Sequence, residues 1–238
     1  MTTHDSESTS FLYPFIDSEE TDAQSLLDDL AASARGKAAE SARLQKESLD
    51  EYGDGLVAAG TEMADRFRRG GRLYTFGNGG SSTDAATLAT LFSRPARGRP
   101  VAAWSLAADQ AVVTALGNDV GFDLIFKRQI IAHARDRDVA IALSTSGNSD
   151  DLMTALTEAK SRGLLTIGFA GHEGGRMLAM AESGELDFCY TVHSQSIHRI
   201  QESHAMLGYR LWSVAQEHMA RVAPHSAERV APNSVEAS

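Results

Sequence analysis

One cysteine, Cys189, stands in the whole chain, so an intrachain disulfide is excluded, and no C-x-x-C metal pattern is present. Its place in the apolar-alternating run Leu186 to Val192 reads as a buried structural thiol rather than a reactive one. No apolar run reaches about 18 residues and no basic-then-apolar leader opens the sequence, so neither a membrane span nor a signal peptide is expected. A lone cysteine fits a reducing compartment, and the expectation is a cytoplasmic protein. Positive charge is short as well. The 22 Lys and Arg against 32 Asp and Glu leave a formal net charge of −10, which argues against direct binding to nucleic acid or to an anionic membrane surface. What remains is ordinary globular usage, 42% hydrophobic and 23% charged over 238 residues, enough for a substantial core in one α/β domain with appended helices.

The stretch around which the rest is organised is Leu73 to Phe92. Apolar and β-branched residues run up to Phe76, Gly77-Asn78-Gly79-Gly80 breaks them, and Ser81, Ser82, Thr83 and Asp84 open an alanine-rich helix. Backbone N–H groups left free at such a helix start, the hydroxyls beside them and the positive end of the helix dipole favour an anion, usually phosphate. The string is neither a Walker A loop nor G-x-G-x-x-G, so no nucleotide is implied. Taken alone, it reads equally well as an ordinary serine-capped βα turn. A second copy of the same chemistry tips the balance. Asp138 to Leu143 reads as a buried strand, followed at once by Ser144-Thr145-Ser146-Gly147-Asn148-Ser149 and an amphipathic helix. In an open α/β sheet, ligands sit beyond the carboxyl ends of the strands, where both turns would be. A small phosphorylated molecule held by Ser81 on one side and by Ser144, Thr145, Ser146 and Ser149 on the other accounts for these hydroxyls.

The remaining elements frame that pair. Residues 21–69 read as two helices parted near Tyr52-Gly53-Asp54-Gly55; standing ahead of the first strand, they are not crossovers. Val101 to Trp104 is the second strand, and Ala107 to Leu116 is a helix ended at Gly117. The loop Arg94 to Pro100, with three arginines, is either a solvated connection or a place where a cation reaches the ligand. Strands at Leu164 to Ala170 and Leu186 to Val192 alternate with helices at Asp150 to Arg162 and Arg176 to Ala181, which argues for a parallel sheet with right-handed crossovers. In the last helix, Gln195 to about Val222, His204 shares a stripe with Ile200, Leu207 and Leu211 and reads as a packed histidine. No two of its histidines stand four apart, so a metal site among His193, His198, Glu202 and His204 is disfavoured. Residues 1–20 read as a flexible arm whose Phe11 to Ile16 cluster packs on its own domain or docks on a partner. Residues 21–222 form a single domain, and residues 223–238 a disordered tail.

Four strings in order, GNGGSS at 77 to 82, GND at 117 to 119, STSGNS at 144 to 149 and RIQESH at 199 to 204, resemble the SIS (sugar isomerase) domain over roughly Leu26 to Met219. The closest resemblance is to the branch containing phosphoheptose isomerase and the DnaA-initiator-associating protein. It implies a doubly wound parallel sheet, a flavodoxin-like three-layer sandwich with N-terminal helices that build a homotetramer, and a phosphosugar site. By motif position the ligand-binding residues are Asn78, Gly79, Gly80, Ser81, Asn118, Asp119, Ser144, Thr145, Ser146, Ser149 and Gln201. From the residues alone, Asn118-Asp119 reads as a plain turn.

The sequence also departs from the isomerases. Where their helix after the glycine loop carries a metal-binding histidine and a catalytic, metal-binding glutamate, this chain has Thr87 and Leu91; where they carry a histidine eight residues after the glutamine of R-I-Q-E, it has Tyr209. Zinc occurs in the family, but its ligand positions are not matched, and the expectation is no metal and no cofactor. Moving a carbonyl along a sugar needs a base for the proton on the neighbouring carbon and an acid for the enediol oxygen. The expectation is a phosphosugar-binding protein acting through oligomerisation or a protein partner. The alternative is an active sedoheptulose 7-phosphate isomerase with a substitute base, Glu202 or His204.

Overall fold

The structure is a computed structural model that describes residues 23–221; the readings placed on residues 1–20 and 223–238 lie outside it. Five strands, β1 (Leu73–Gly77), β2 (Ala103–Ser105), β3 (Val139–Leu143), β4 (Leu165–Gly171) and β5 (Phe188–Val192), pair in parallel in the order β2-β1-β3-β4-β5. Around them lie α1 (Ala23–Arg68), α2 (Gly80–Ser93), α3 (Gln110–Asp119), α4 (Ile125–His133), α5 (Asp150–Ser161), α6 (Gly175–Glu182) and α7 (Ile197–Arg221). This is the doubly wound order whose direction reverses between β1 and β3, and a crevice opens at such a reversal.

Strand periodicity sorts the core into two layers. Leu73, Val139, Ile141, Leu143, Leu165, Ile167 and Phe169 join Leu56, Met63 and Phe67 of α1, Phe92 of α2 and Leu207 and Leu211 of α7 in one cluster. Tyr74, Phe76, Ala140, Ala142 and Ala170 join Phe126 and Ile130 of α4, Leu152 and Leu156 of α5 and Met177 of α6 in the other. β1, β3 and β4 are buried along their whole length, which is why they read as continuous apolar runs.

The expected break between two N-terminal helices is absent, and α1 runs on through Gly53 and Gly55. A glycine inside a helix costs only about 1 kcal/mol relative to alanine, and packing offsets it. The Tyr190 hydroxyl donates to the Gly55 carbonyl at 3.0 Å, and a Cβ at Gly60 would stand 2.7 Å from Val214. Gly55 and Gly60 thus stand against neighbours rather than turn the chain, whereas Gly53 has nothing within 4 Å. α3 likewise begins later than expected, at an Asp109 cap that accepts from the Val112 N–H, and passes through Gly117 to Asp119. The chain divides into two units after Ala42. In the first, Leu26, Leu27 and Leu30 of α1 are exposed.

Candidate functional site

β1 and β3 are neighbours in register, with Gly77 opposite Leu143, so the turns beyond their carboxyl ends leave the sheet side by side. Glycine is required in both. A Cβ at Gly77 would lie 2.7 Å from the Leu143 carbonyl oxygen, and one at Gly147 would lie 2.0 Å from that of Gly174. Gly79, at φ +54°, holds a left-handed conformation that side chains resist. A direct bond joins the two turns: the Asn78 amide donates to both carboxylate oxygens of Asp151, at 3.1 and 2.9 Å. Asp151 is buried near the start of α5, and that burial raises its pKa while the Asn78 bond opposes the rise.

The hydroxyls shape the second turn. Ser144 Oγ accepts from the Gly147 N–H at 3.0 Å and Ser146 Oγ from the Asn148 N–H at 3.3 Å, with the two oxygens 3.4 Å apart. One O–H of the pair lies between the two oxygens, and the other remains to donate. Ser149 is the N-cap of α5, but its side chain makes no capping bond; α2 starts from Gly79, which has no side chain to cap with. Two helix N-termini without side-chain caps therefore face one rim, with Ser81 buried in the first turn of α2 and Thr145 half-buried between Ser144 and Ser146. First-turn N–H groups, dipoles and hydroxyls gathered in this way suit an anion.

α7 closes the rim. Gln201 packs so tightly on the glycine turn that a Cβ at Gly80 would stand 2.5 Å from its Nε2, and that nitrogen donates to Asp84 Oδ2 at 2.8 Å. Burial pushes the half-buried Asp84 carboxyl above its ordinary pKa, against the Gln201 bond. Below this pair, α2 and α7 leave a cleft of about 60 Å³ lined by Asp84, Thr87, Leu88, Leu91, Leu143, His204, Ala205, Gly208 and Tyr209. All three positions at which the sequence departs from the isomerases thus line one cleft beside the rim. A threonine, a leucine and a phenol do not suit zinc, which takes thiolate, imidazole or carboxylate ligands. Among the described residues no group of three His, Cys, Asp or Glu is placed to hold a metal ion.

The two candidate bases differ. His204 is fully buried in the cleft wall, with Nε2 at 2.9 Å from the Ala170 carbonyl oxygen, and desolvation pushes its pKa down to about 4, so the ring is neutral. Glu202 pairs with Arg199 at 2.5 Å and does not line the cleft. Asn118 and Asp119 are exposed at the end of α3. The Asn118 amide donates to Asp119 at 2.7 Å, and no bond among the described residues ties either to the two turns. The arginine loop does bring a cation near: Arg97 Nη2 lies 3.5 Å from the Tyr209 hydroxyl at the cleft mouth. A larger cavity of about 410 Å³, between Tyr74, Trp104, Val112 and His133, includes no residue of either turn.

Asp84 and Asp151 belong to the candidate site by their contacts, and sequence reasoning missed both. Asp84 stands three residues after Ser81, a helical spacing that points both to one face. Asp151 reads as a solvated acid in the first turn of a helix, and nothing local signals its burial.

The SIS domain model matches residues 38–171. The phosphoheptose isomerase of Aquifex aeolicus (strain VF5) is 37% identical over 180 residues, covering 75% of this chain and 92% of that protein. That of Rhodospirillum rubrum is 40% identical over 162 residues, covering 67% and 83%. The solved structure of phosphoheptose isomerase from Neisseria gonorrhoeae superposes with a TM-score of 0.70 at 30% identity, covering 79% of this chain and 99% of that one.

Proposed function

Because the chain belongs to the SIS domain family, we propose that it binds a phosphorylated sugar where the turns after β1 and β3 face each other. One observation carries this reading: Gly77 and Leu143 are register partners, so Asn78 to Ser81 and Ser144 to Ser149 open onto a single rim. The phosphate accepts from the first-turn N–H groups and from the Ser81, Ser144, Thr145, Ser146 and Ser149 hydroxyls, while Gln201 flanks the sugar.

Once the sugar is bound, it is either isomerised or simply held, and the relatives favour isomerisation, since proteins at 37% and 40% identity are named phosphoheptose isomerases. The substituted cleft is what speaks for binding without turnover. Aldose–ketose isomerisation moves one proton from the carbon beside the carbonyl to the carbonyl carbon, through an enediol. The groups in the cleft able to take that proton are the Asp84 carboxyl, with its pKa raised, and neutral His204. Of these Asp84 is nearer the rim, held by Gln201 beside Gly80; Glu202 would have to leave Arg199.

Calorimetry with sedoheptulose 7-phosphate tests binding, and conversion of the same sugar, with and without added zinc, tests turnover. Conversion abolished by Asp84→Asn establishes the isomerase. Binding with no conversion in either buffer establishes the ligand-binding reading, and no binding removes both. The family's homotetramer is the assembly we propose; light scattering in solution reads it directly.

A further inference from the structure

The cavity of about 410 Å³ stands apart from the phosphosugar rim. It sits where Tyr74, near the start of β1, and Trp104 of β2 are register partners, and Val112 of α3 with Gln129 and His133 of α4 complete its wall. Its volume is in the range of small-molecule sites. One of the two features that point to a ligand is Trp104. β2 is the edge strand, so Tyr74, stacked on the indole at 5.9 Å, and Arg72, whose guanidinium carbon lies 5.7 Å from the ring centre, both reach it from the β1 side. No strand stands on its other side, and Trp104 remains 49% exposed. An indole half in water at a cavity wall offers a surface on which a flat ring can stack.

The other feature is Gln129, which is 8% exposed. Its Nε2 donates to the Leu106 and Ile125 carbonyls, both at 3.0 Å, which spends both amide protons and fixes which end is oxygen. Oε1 has no partner among the described residues. The unpaired side-chain polar atoms shut off from water there are Ser105 Oγ, Ser203 Oγ, His204 Nδ1 and Trp212 Nε1, and the Gln129 oxygen is not one of them. It is therefore an acceptor open to solvent. Gln129 lines this cavity and a groove of about 360 Å³ that adjoins it across Val112 and His133, so the oxygen faces the joined space. Water satisfies the oxygen but not the indole.

Charge narrows the ligand further. The Asp and Arg side chains of the wall are Arg72, drawn over the indole, and Asp109, which caps α3 by accepting from the Val112 N–H at 3.1 Å. One of each sign leaves no excess to hold an ion. We infer that this cavity binds a neutral, flat heteroaromatic ring bearing an amino group, of the purine nucleoside class, with the ring stacked on Trp104 and the amino N–H donating to Gln129 Oε1. A two-ring base with its pentose suits the volume better than a single ring does. No residue of the two serine-bearing turns lines the cavity, so this site stands or falls apart from the phosphosugar reading.

The test is titration of the full chain with adenosine, with purine riboside, which lacks only the amino group, and with ribose, which lacks the base, read by calorimetry and by tryptophan fluorescence. Adenosine is expected to bind about tenfold more tightly than purine riboside, the worth of one hydrogen bond, and ribose not at all. Trp104→Ala is expected to weaken adenosine by about tenfold or more, the worth of one stacked base. Its ring is half-exposed, so the fold should survive the change. Gln129→Met is expected to level the two nucleosides; if that buried variant does not fold, the wild-type ratio decides the amino contact. Absence of adenosine binding, a wild-type ratio near one, or undiminished affinity in Trp104→Ala overturns the inference. So does displacement of adenosine by sedoheptulose 7-phosphate, which would put the nucleoside at the rim.

Discussion

The amide of Asn78 and the carboxylate of Asp151, 73 residues apart in the chain, are held together at 2.9 Å across the gap between the turn after β1 and the first turn of α5. Asp151 is 3% exposed, so the bond is made out of water. Asn78→Ala takes a partner from a buried carboxylate, and Asp151→Ala takes one from a half-buried amide. Asn78→Ala and Asp151→Ala are each expected to cost about 1–3 kcal/mol of stability and to weaken phosphosugar binding. Denaturant midpoints and calorimetry measure the two effects, and undiminished binding by a folded Asp151→Ala would show that the turns need no such tie.

Ser144 and Ser146 each accept a backbone N–H and share one O–H between them, which leaves one proton of the pair to give. Ser144→Ala and Ser146→Ala should each lower phosphosugar affinity by about 1–3 kcal/mol, the range for a hydrogen bond to a charged group. Unchanged affinity by calorimetry would remove that serine from the site.

At Gly147, φ is +66° and a Cβ would stand 2.0 Å from the Gly174 carbonyl oxygen. Gly147→Ala must displace backbone and not merely a side-chain tip. The expected outcome is a folded protein, destabilised by roughly 1–3 kcal/mol, whose phosphosugar affinity is lost more completely than in either serine variant.

The stability of the protein should fall in mild acid because of His204. Its folded pKa of about 4 lies below the unfolded value of 6.5, so the unfolded chain takes up the proton first as pH drops. The contribution is complete above about pH 6.5 and fades as pH falls towards 4, by up to about 3 kcal/mol. Melting curves from pH 7 to 4.5 should show a decline in the wild type that is shallower in His204→Phe. Parallel curves would mean that the ring is not held neutral.

Thr87, Leu91 and Tyr209 line one cleft beside Gln201, so replacing all three should install what each lacks. A triple variant with Thr87→His, Leu91→Glu and Tyr209→His is expected to take up zinc at about one equivalent per chain, read by elemental analysis, where the wild type takes up less. No gain in bound zinc would show that the three positions do not converge on one ion.

Much of this is legible in the residues. The change from strand to helix pattern at Gly77-Asn78-Gly79-Gly80 is local chemistry, and its repetition after Leu143 places the second turn within a residue. Alternating apolar runs and amphipathic helices announce a parallel sheet. The helix through Gly53 and Gly55 is not legible, because what packs on Gly55 and Gly60 is a tyrosine and a valine more than a hundred residues away, while Gly53 has no neighbour within 4 Å. Asn118 and Asp119 are assigned to the site by motif alone, and in the described structure they bond each other.

Composition, periodicity and two hydroxyl-rich turns were thus enough to specify the class of fold and to mark the two turns at which we propose a ligand, since these depend on near neighbours along the chain. Only tertiary structure decided that Asn78 would meet Asp151, that Gln201 would meet Asp84, and that three scattered substitutions would share one cleft with a buried histidine. Those are contacts between distant segments, set by the order in which the strands pair and by what each helix buries.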